Sequence, residues 1–184
     1  NFSFYSSPSD FDGLQLWLDA SDLSSADSTW TDKSGNGNDA TKNGSPTLSA
    51  NAQNTHSVIR YTGNNADYHE WSDINDIRTI FWVVKANSSN QGFLLGDDSQ
   101  YHFHHNQVFW HSGHSSSNVR NGSLCVNGQS INGLSTQMNS SLANLSIVSL
   151  RTTGNVEASR FSRDRTSNGR NWNGDLGELM IYNS

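Results

Sequence analysis

The sequence predicts an all-β fold, a two-sheet antiparallel β-sandwich, and three observations carry that reading. No window of roughly 11–18 residues keeps a helical apolar period, whereas β-branched and aromatic runs recur between clusters of Gly, Asn, Asp and Ser. These runs are short and numerous, more than one flat sheet accommodates, so two packed sheets are expected. Asn127-Gly128 stands between two such runs and is a strong hairpin signal, because a type I′ turn requires positive φ at both central residues.

Taken in order, the expected strands begin with Leu14–Asp19, which is matched at the far end by Leu176–Tyr182. Ser57–Thr62 follows, then Thr79–Lys85, which holds the longest apolar run, Ile80–Val84. Gly92–Leu95, Tyr101–His105 and Val108–His111 are short and aromatic. Leu124–Val126 and Gln129–Ile131 flank the Asn-Gly turn, and Leu145–Arg151 and Glu157–Ser162 complete the set before the closing strand. Pro8 and Pro46 are the only prolines, so few breakers interrupt them.

At 184 residues the chain fits one domain. Hydrophobic residues reach 33% and charged residues 15%, but 10% aromatics and a net charge of −6 separate this composition from that of disordered chains. The aromatic rings supply the core that a thin aliphatic content cannot. A negative balance argues against nucleic acid and anionic membranes as partners, since both need a basic surface. The Ile80–Val84 run is far below the ~20 residues of a membrane helix. The chain opens at Asn1 without Met or leader, which suggests a module of a longer protein with neighbouring domains. Cys125 is the single cysteine, which excludes an internal disulfide or a cysteine zinc site and reads as a small hydrophobe on a strand. Asn-X-Ser sequons at Asn1, Asn87, Asn121, Asn139 and Asn144 carry little weight in a chain so rich in Asn and Ser.

Three segments in chain order carry a family resemblance. They are Gly13–Asp19, the loop Trp30-Thr31-Asp32-Lys33-Ser34-Gly35-Asn36-Gly37-Asn38-Asp39, and the hairpin Leu124-Cys125-Val126-Asn127-Gly128, with Gly174–Asn183 closing the set. Together they resemble the laminin-G-like, concanavalin A-like jelly rolls. The resemblance implies a carbohydrate-binding type of fold for residues 1–184 as a single module, secreted or at the cell surface of a bacterium, within an adhesin or a polysaccharide-degrading enzyme.

The Trp30–Asp39 loop has a plain structural use, since Gly35 and Gly37 can take left-handed backbone angles while Asp32 and Asn36 bond nearby amides. Its Asp, Ser and Asn oxygens are also what calcium takes, so Asp32 is a candidate metal ligand beside that reading. Asp97 and Asp98, after Gly96, form a second calcium candidate.

Five of the seven histidines fall between His102 and His114. With Asn106-Gln107 as a two-residue turn, Phe103 and Trp110 share one face while His102, His104, Phe109 and His111 share the other. The first face is core. The second presents imidazoles and a ring to a glycan, with a transition-metal site at the opposed His102 and His111 as the alternative and a solvated polar face as the plain one. A register slip of one residue would exchange the faces.

Arg151, Arg160, Arg163, Arg165 and Arg170 crowd the last third, followed by Trp172. Guanidinium forks of Arg163 and Arg165 beside a stacking Trp172 suit an acidic or sulfated polysaccharide. The competing reading pairs Asp164 with a neighbouring Arg and buries Trp172 ahead of the final strand.

The chain lacks the E-x-D-x-x-E strand of the hydrolases in the family it resembles, and it has no G-x-S-x-G, Walker or dinucleotide loop. The expected function is therefore non-catalytic glycan binding. The alternatives are a structural or protein-interaction module of an extracellular array and, third, a polysaccharide lyase acting on a uronate polymer through Tyr101, His102, His104 and the arginines.

Overall fold

A computed structural model describes residues 7–25, 28–64, 66–87, 93–165 and 170–184. Gly92, at the start of one expected strand, the Asn1 sequon and residues 166–169 of the arginine-rich loop lie outside the described residues. The chain is all-β with antiparallel pairing between its strands. These are β1 (Leu14–Asp19), β2 (Thr29–Trp30), β3 (Ala40–Asn43), β4 (Thr47–Gln53), β5 (His56–Thr62), β6 (Tyr68–Ala86), β7 (Ser123–Val126), β8 (Gln129–Ile131), β9 (Ser146–Phe161) and β10 (Asn173–Tyr182). Two single-turn helices, α1 (Ser117–Arg120) and α2 (Met138–Ser141), sit in the loops. No helix among the described residues is long and apolar enough to cross a membrane.

The hydrogen-bonded path runs β4-β5-β10-β6-β9-β7-β8, with β1 on β10 and with β3 joining β2 to β6. First and last strands pair from Leu14 opposite Tyr182 to Asp19 opposite Glu178, and the Asn183 N–H donates to the Gly13 carbonyl at 2.9 Å. This is the matched-ends arrangement the sequence suggested. The Asn127-Gly128 turn is also as expected, with φ of 49° and 78° and Val126 opposite Gln129.

Alternation sorts β6, β9, β7, β1 and β10 into two faces. Ile80, Trp82, Val84, Val148, Leu150, Leu124, Leu16, Leu18, Leu179 and Ile181 face one way and are buried. Phe81, Val83, Ser149, Cys125, Trp17, Glu178 and Met180 face the other way and are half-buried. Cys125 is thus on a strand, as expected, but on the outward side.

The core against the inner face is closed by the segment from Phe93 to Val119, whose Leu94, Leu95, Phe103, Phe109, Trp110 and Val119 join the same cluster. Trp82 meets Phe103 edge-on at 6.3 Å. That segment is not strand. Gly92–Leu95, Tyr101–His105 and Val108–His111 were expected as strands, but their described residues make only isolated bridges, Phe93 with His104 and Val108 with Asn106 and Gln137.

Strands β3 and β4 went unread because their polar residues carry no apolar alternation; β4 lies at the end of the path and is largely exposed. The first half of β6 was missed for another reason. Its register against β9 breaks between Glu70 and Ile74 and again near Ile77, and such irregularities scramble a period of two.

Candidate functional site

The histidine hairpin exists, but its register and surroundings differ from expectation. Gln107 alone, at φ 63°, forms the tip, with Asn106 and Val108 exchanging backbone hydrogen bonds. The His111 N–H then donates to the His104 carbonyl at 2.8 Å, so His104, not His102, lies beside His111. Phe103 and Trp110 are core, as expected. His104 and Phe109 are core too, at 2% and 0% exposure, which corrects their placement on a solvated face. Covering of Phe103, His104, Phe109 and Trp110 alike defeats the alternation argument, and water reaches the hairpin at its tip, Asn106 and Gln107, and at His114. His104, His111 and His114 gather instead, with ring centroids 4.5–5.4 Å apart and Tyr101 against His104 and His114.

Burial keeps the enclosed imidazoles neutral. Desolvation, with smaller repulsion from His111, Arg170 and His114, pulls His104 down to about 4, and desolvation takes His105 to about 3. His102 is half-buried and also lowered by burial. Away from the hairpin, His69 is lowered to about 4 by burial and shares a 2.7 Å hydrogen bond with the Tyr61 hydroxyl.

The arginine-rich loop is partly compensated from within. Asp164, fully buried, holds Arg165 at 3.2 Å and Arg170 at 2.8 Å. The Arg165 guanidinium also lies 3.6 Å from the Tyr101 ring centre, and that of Arg163 lies 4.6 Å from the Tyr68 ring. Trp172 is 2% exposed, packed near His105 and Phe161, so it presents no stacking surface. Of the two forks expected to grip an acidic polymer, Arg165 is engaged by Asp164 and Tyr101, while Arg163 lies against the Tyr68 ring with its Nε buried and without a hydrogen-bond partner.

Asp32 is the organiser of its loop. Its Oδ1 accepts from the Trp17 and Ser34 N–H groups at 2.9 Å each, and its Oδ2 from the Ser34 hydroxyl at 2.7 Å and the Asn38 N–H at 3.0 Å. Four donors occupy the carboxylate, so the structural-turn reading holds and a calcium ion at Asp32 would have to displace them. Gly35 and Gly37 take φ of 85° and 76°, as the turn requires.

Asp97 and Asp98 do lie at a cleft, of about 230 Å³, together with Trp71, Asp73, Ser99, Glu157 and Ser159. Gly96 fixes them there, exchanging backbone hydrogen bonds with Arg160 so closely that a Cβ would collide with the Arg163 carbonyl. Asp73 is raised by desolvation and by the neighbouring Asp97 and Asp98. Among the described residues, no group of three or more His, Cys, Asp or Glu side chains is placed to hold a metal ion.

A feature the sequence reading missed is the outward face of the sheet, where two clefts adjoin along β10 and β6. One, of about 530 Å³, is lined by Pro8, Phe11, Phe81, Met180 and Tyr182, with Thr79 and two serines at its edge. Phe11 is 51% exposed, and the Tyr182 ring meets Phe81 edge-on at 6.1 Å. The other, of about 330 Å³, is polar: Asp19, Ser21, Asn54, His56, Asn127 and Glu178 border it, over Val83 and Ile147.

A bulge at Gly177 aims Glu178 into the polar cleft, since the pairing of β10 with β6 slips between Leu176 and Glu178. That glycine inside a strand run was the available signal. The Trp17 indole N–H donates to Glu178 Oε1 at 2.7 Å. Desolvation, with Asp19 opposite in the pairing, nevertheless raises the Glu178 carboxyl above its ordinary value. Lys33 bridges Asp19 and Asp22 at 3.2 and 2.6 Å, with its ammonium 4.0 Å from the Trp17 ring centre.

Comparisons with protein-family models, with curated proteins and with solved structures found no match to this chain.

Proposed function

We propose that the chain is a non-catalytic glycan-binding module of a secreted or surface protein, built on a laminin-G-like jelly-roll sandwich, with its site on the outward face of the sheet. The supporting observation is the placement of the two clefts on one face of β6 and β10: Phe81 and Met180, with Tyr182, line the apolar one, and Val83 and Glu178, two residues along the same strands, line the polar one beside Asp19, Asn127 and Ser21. A sugar chain has the matching character, apolar ring faces edged with hydroxyls. Asp19 and Glu178 disfavour an acidic or sulfated polymer in this groove, so the partner class is a neutral glycan.

Glycan-array screening followed by calorimetry tests this reading. A neutral oligosaccharide retained by the wild type and lost in Phe81→Ala and Glu178→Gln supports it. Binding that survives both substitutions, or no glycan retained at all, overturns it. The second outcome favours a protein-interaction module, whose apolar partner would use the same Phe11, Phe81 and Met180 floor.

A further inference from the structure

The hairpin from Tyr101 to His114 is unused by the glycan-binding reading and stands independently of it. His104 is where its parts meet. Its N–H donates to the Tyr101 carbonyl at 3.1 Å, its carbonyl accepts from the His111 N–H, and it bridges to Phe93 at the start of the core-closing segment. Its ring meets Phe93 edge-on at 5.1 Å and lies 5.0 and 5.4 Å from the rings of His111 and His114. Its Nδ1 is buried without a hydrogen-bond partner. A neutral imidazole tolerates that enclosure, whereas an imidazolium needs an acceptor or a carboxylate beside it. The titratable and charged groups that face it are Tyr101, His105, His111 and His114 from the hairpin and Asp164 and Arg170 from the arginine-rich loop, with Arg165 beyond the Tyr101 ring. Asp164 is the one carboxylate in this set, and Arg165 and Arg170 already hold it. His105, next along the chain, is buried against the Trp172 ring and has His104 as its charged neighbour.

We propose that the Tyr101–His114 hairpin is an acid-released flap, freed from the core it covers by protonation of His104 and His105 while the sheet of β6, β9 and β10 keeps its pairing. The hairpin is the easier part to open, because isolated bridges and single backbone bonds hold it rather than a ladder. The sheet beneath is paired without a break from Thr79 opposite Arg151 to Val84 opposite Ser146, and no histidine lies in that stretch. His69 sits outside it, opposite Phe161 beyond the register breaks. In the closed hairpin the two imidazoles titrate at about 4 and about 3, and in the open one near the ordinary value of about 6.5. The open form therefore binds more protons, and acid favours it. Between about pH 6 and 4.5 the opening equilibrium grows by about tenfold per pH unit for each imidazole, or about a hundredfold for the pair.

Amide hydrogen exchange of the intact chain at pH 7.5, 6 and 5, corrected for the intrinsic rate at each pH, tests this. The reporters are the Trp110 and His111 amides, bonded to the Gly133 and His104 carbonyls, against those of Trp82 and Leu150 in the sheet. In the wild type the hairpin amides lose protection by about a hundredfold per pH unit below pH 6, and at pH 5 the sheet amides still exchange at least about a hundredfold more slowly than they do. His105→Gln reduces the fall to about tenfold per unit, and His104→Gln/His105→Gln removes it. If the double variant fails to fold, the wild type and the single variant decide the question. Hairpin protection that acid leaves unchanged, hairpin and sheet losing protection together in the wild type, or an undiminished fall in His105→Gln overturns the proposal.

Discussion

The outward face of β10 and β6 and the hairpin from Tyr101 to His114 look alike as sequence, each alternating rings with polar groups, yet they end in opposite environments. Phe81 is half-buried on an outward face, with Trp82 beside it buried on the inner one. In the hairpin Phe109 and Trp110 are neighbours in sequence and both are buried. Alternation separates two faces only where a strand is bonded into a sheet with unlike surroundings on its two sides. The hairpin lies in the layer that closes the core, where residues of both parities are covered, and His104 and His105 are enclosed along with Phe103, Phe109 and Trp110.

The sharpest way to break this contrast is truncation of one ring from each region. Phe103→Ala removes a core ring in contact with Trp82 and Trp110 and is expected to cost about 3–5 kcal/mol in urea unfolding. Phe81→Ala should cost well under that, about 1 kcal/mol, while removing the floor of the groove. Equal costs would mean that the outward face is as enclosed as the hairpin.

Next in size is Asp32→Ala, which leaves four donors without their acceptor and is expected to lower stability in urea unfolding by about 2–4 kcal/mol. A cost under about 0.5 kcal/mol would contradict the organising role of this carboxylate in the Trp30–Asp39 loop.

Acid separates the two regions by sign. His69, His104 and His105 have folded values of about 4, 4 and 3, below the unfolded value of about 6.5. Their contribution is fully present above pH 6.5 and is lost as pH falls from there toward 4, with a slope of about 1.4 kcal/mol per pH unit for each imidazole. Urea midpoints taken from pH 7.5 to 5 should show this fall, and His105→Gln should make it shallower; an unchanged slope would contradict the enclosure of that ring. Glu178 works the other way, because its raised carboxyl penalises the folded state at neutral pH and the penalty lifts as pH drops through its folded value. Glu178→Gln keeps an acceptor for the Trp17 indole and is expected to change stability at pH 7 by about 0.5 kcal/mol or less, upward if at all, with glycan binding lost.

How far the sequence could be read depended on what enclosed each segment. Leu14–Asp19, Leu124–Val126 with Gln129–Ile131, and Leu176–Tyr182 were legible because apolar spacing and an Asn-Gly turn are local properties that the backbone obeys directly. Asp32 and its glycines were legible as a turn for the same reason. The groove was not. Phe81, Glu178 and Asp19 are distant in the chain and meet only because β1, β10 and β6 are neighbours, and Glu178 is aimed there by a bulge whose sole trace is Gly177.

Composition, period and turn chemistry therefore determined by themselves that this chain is all-β with a tight hairpin at Asn127-Gly128, since each follows from interactions among near neighbours along the strand, whereas the pairing of its ends, expected from the resemblance, is a contact between distant segments. Which side of each ring meets water, which carboxylates stand together and which arginines remain free were decided by tertiary structure. Burial and charge compensation are properties of the space between elements, and that space takes shape only when Asp164 has met its arginines and the loops have closed over the core.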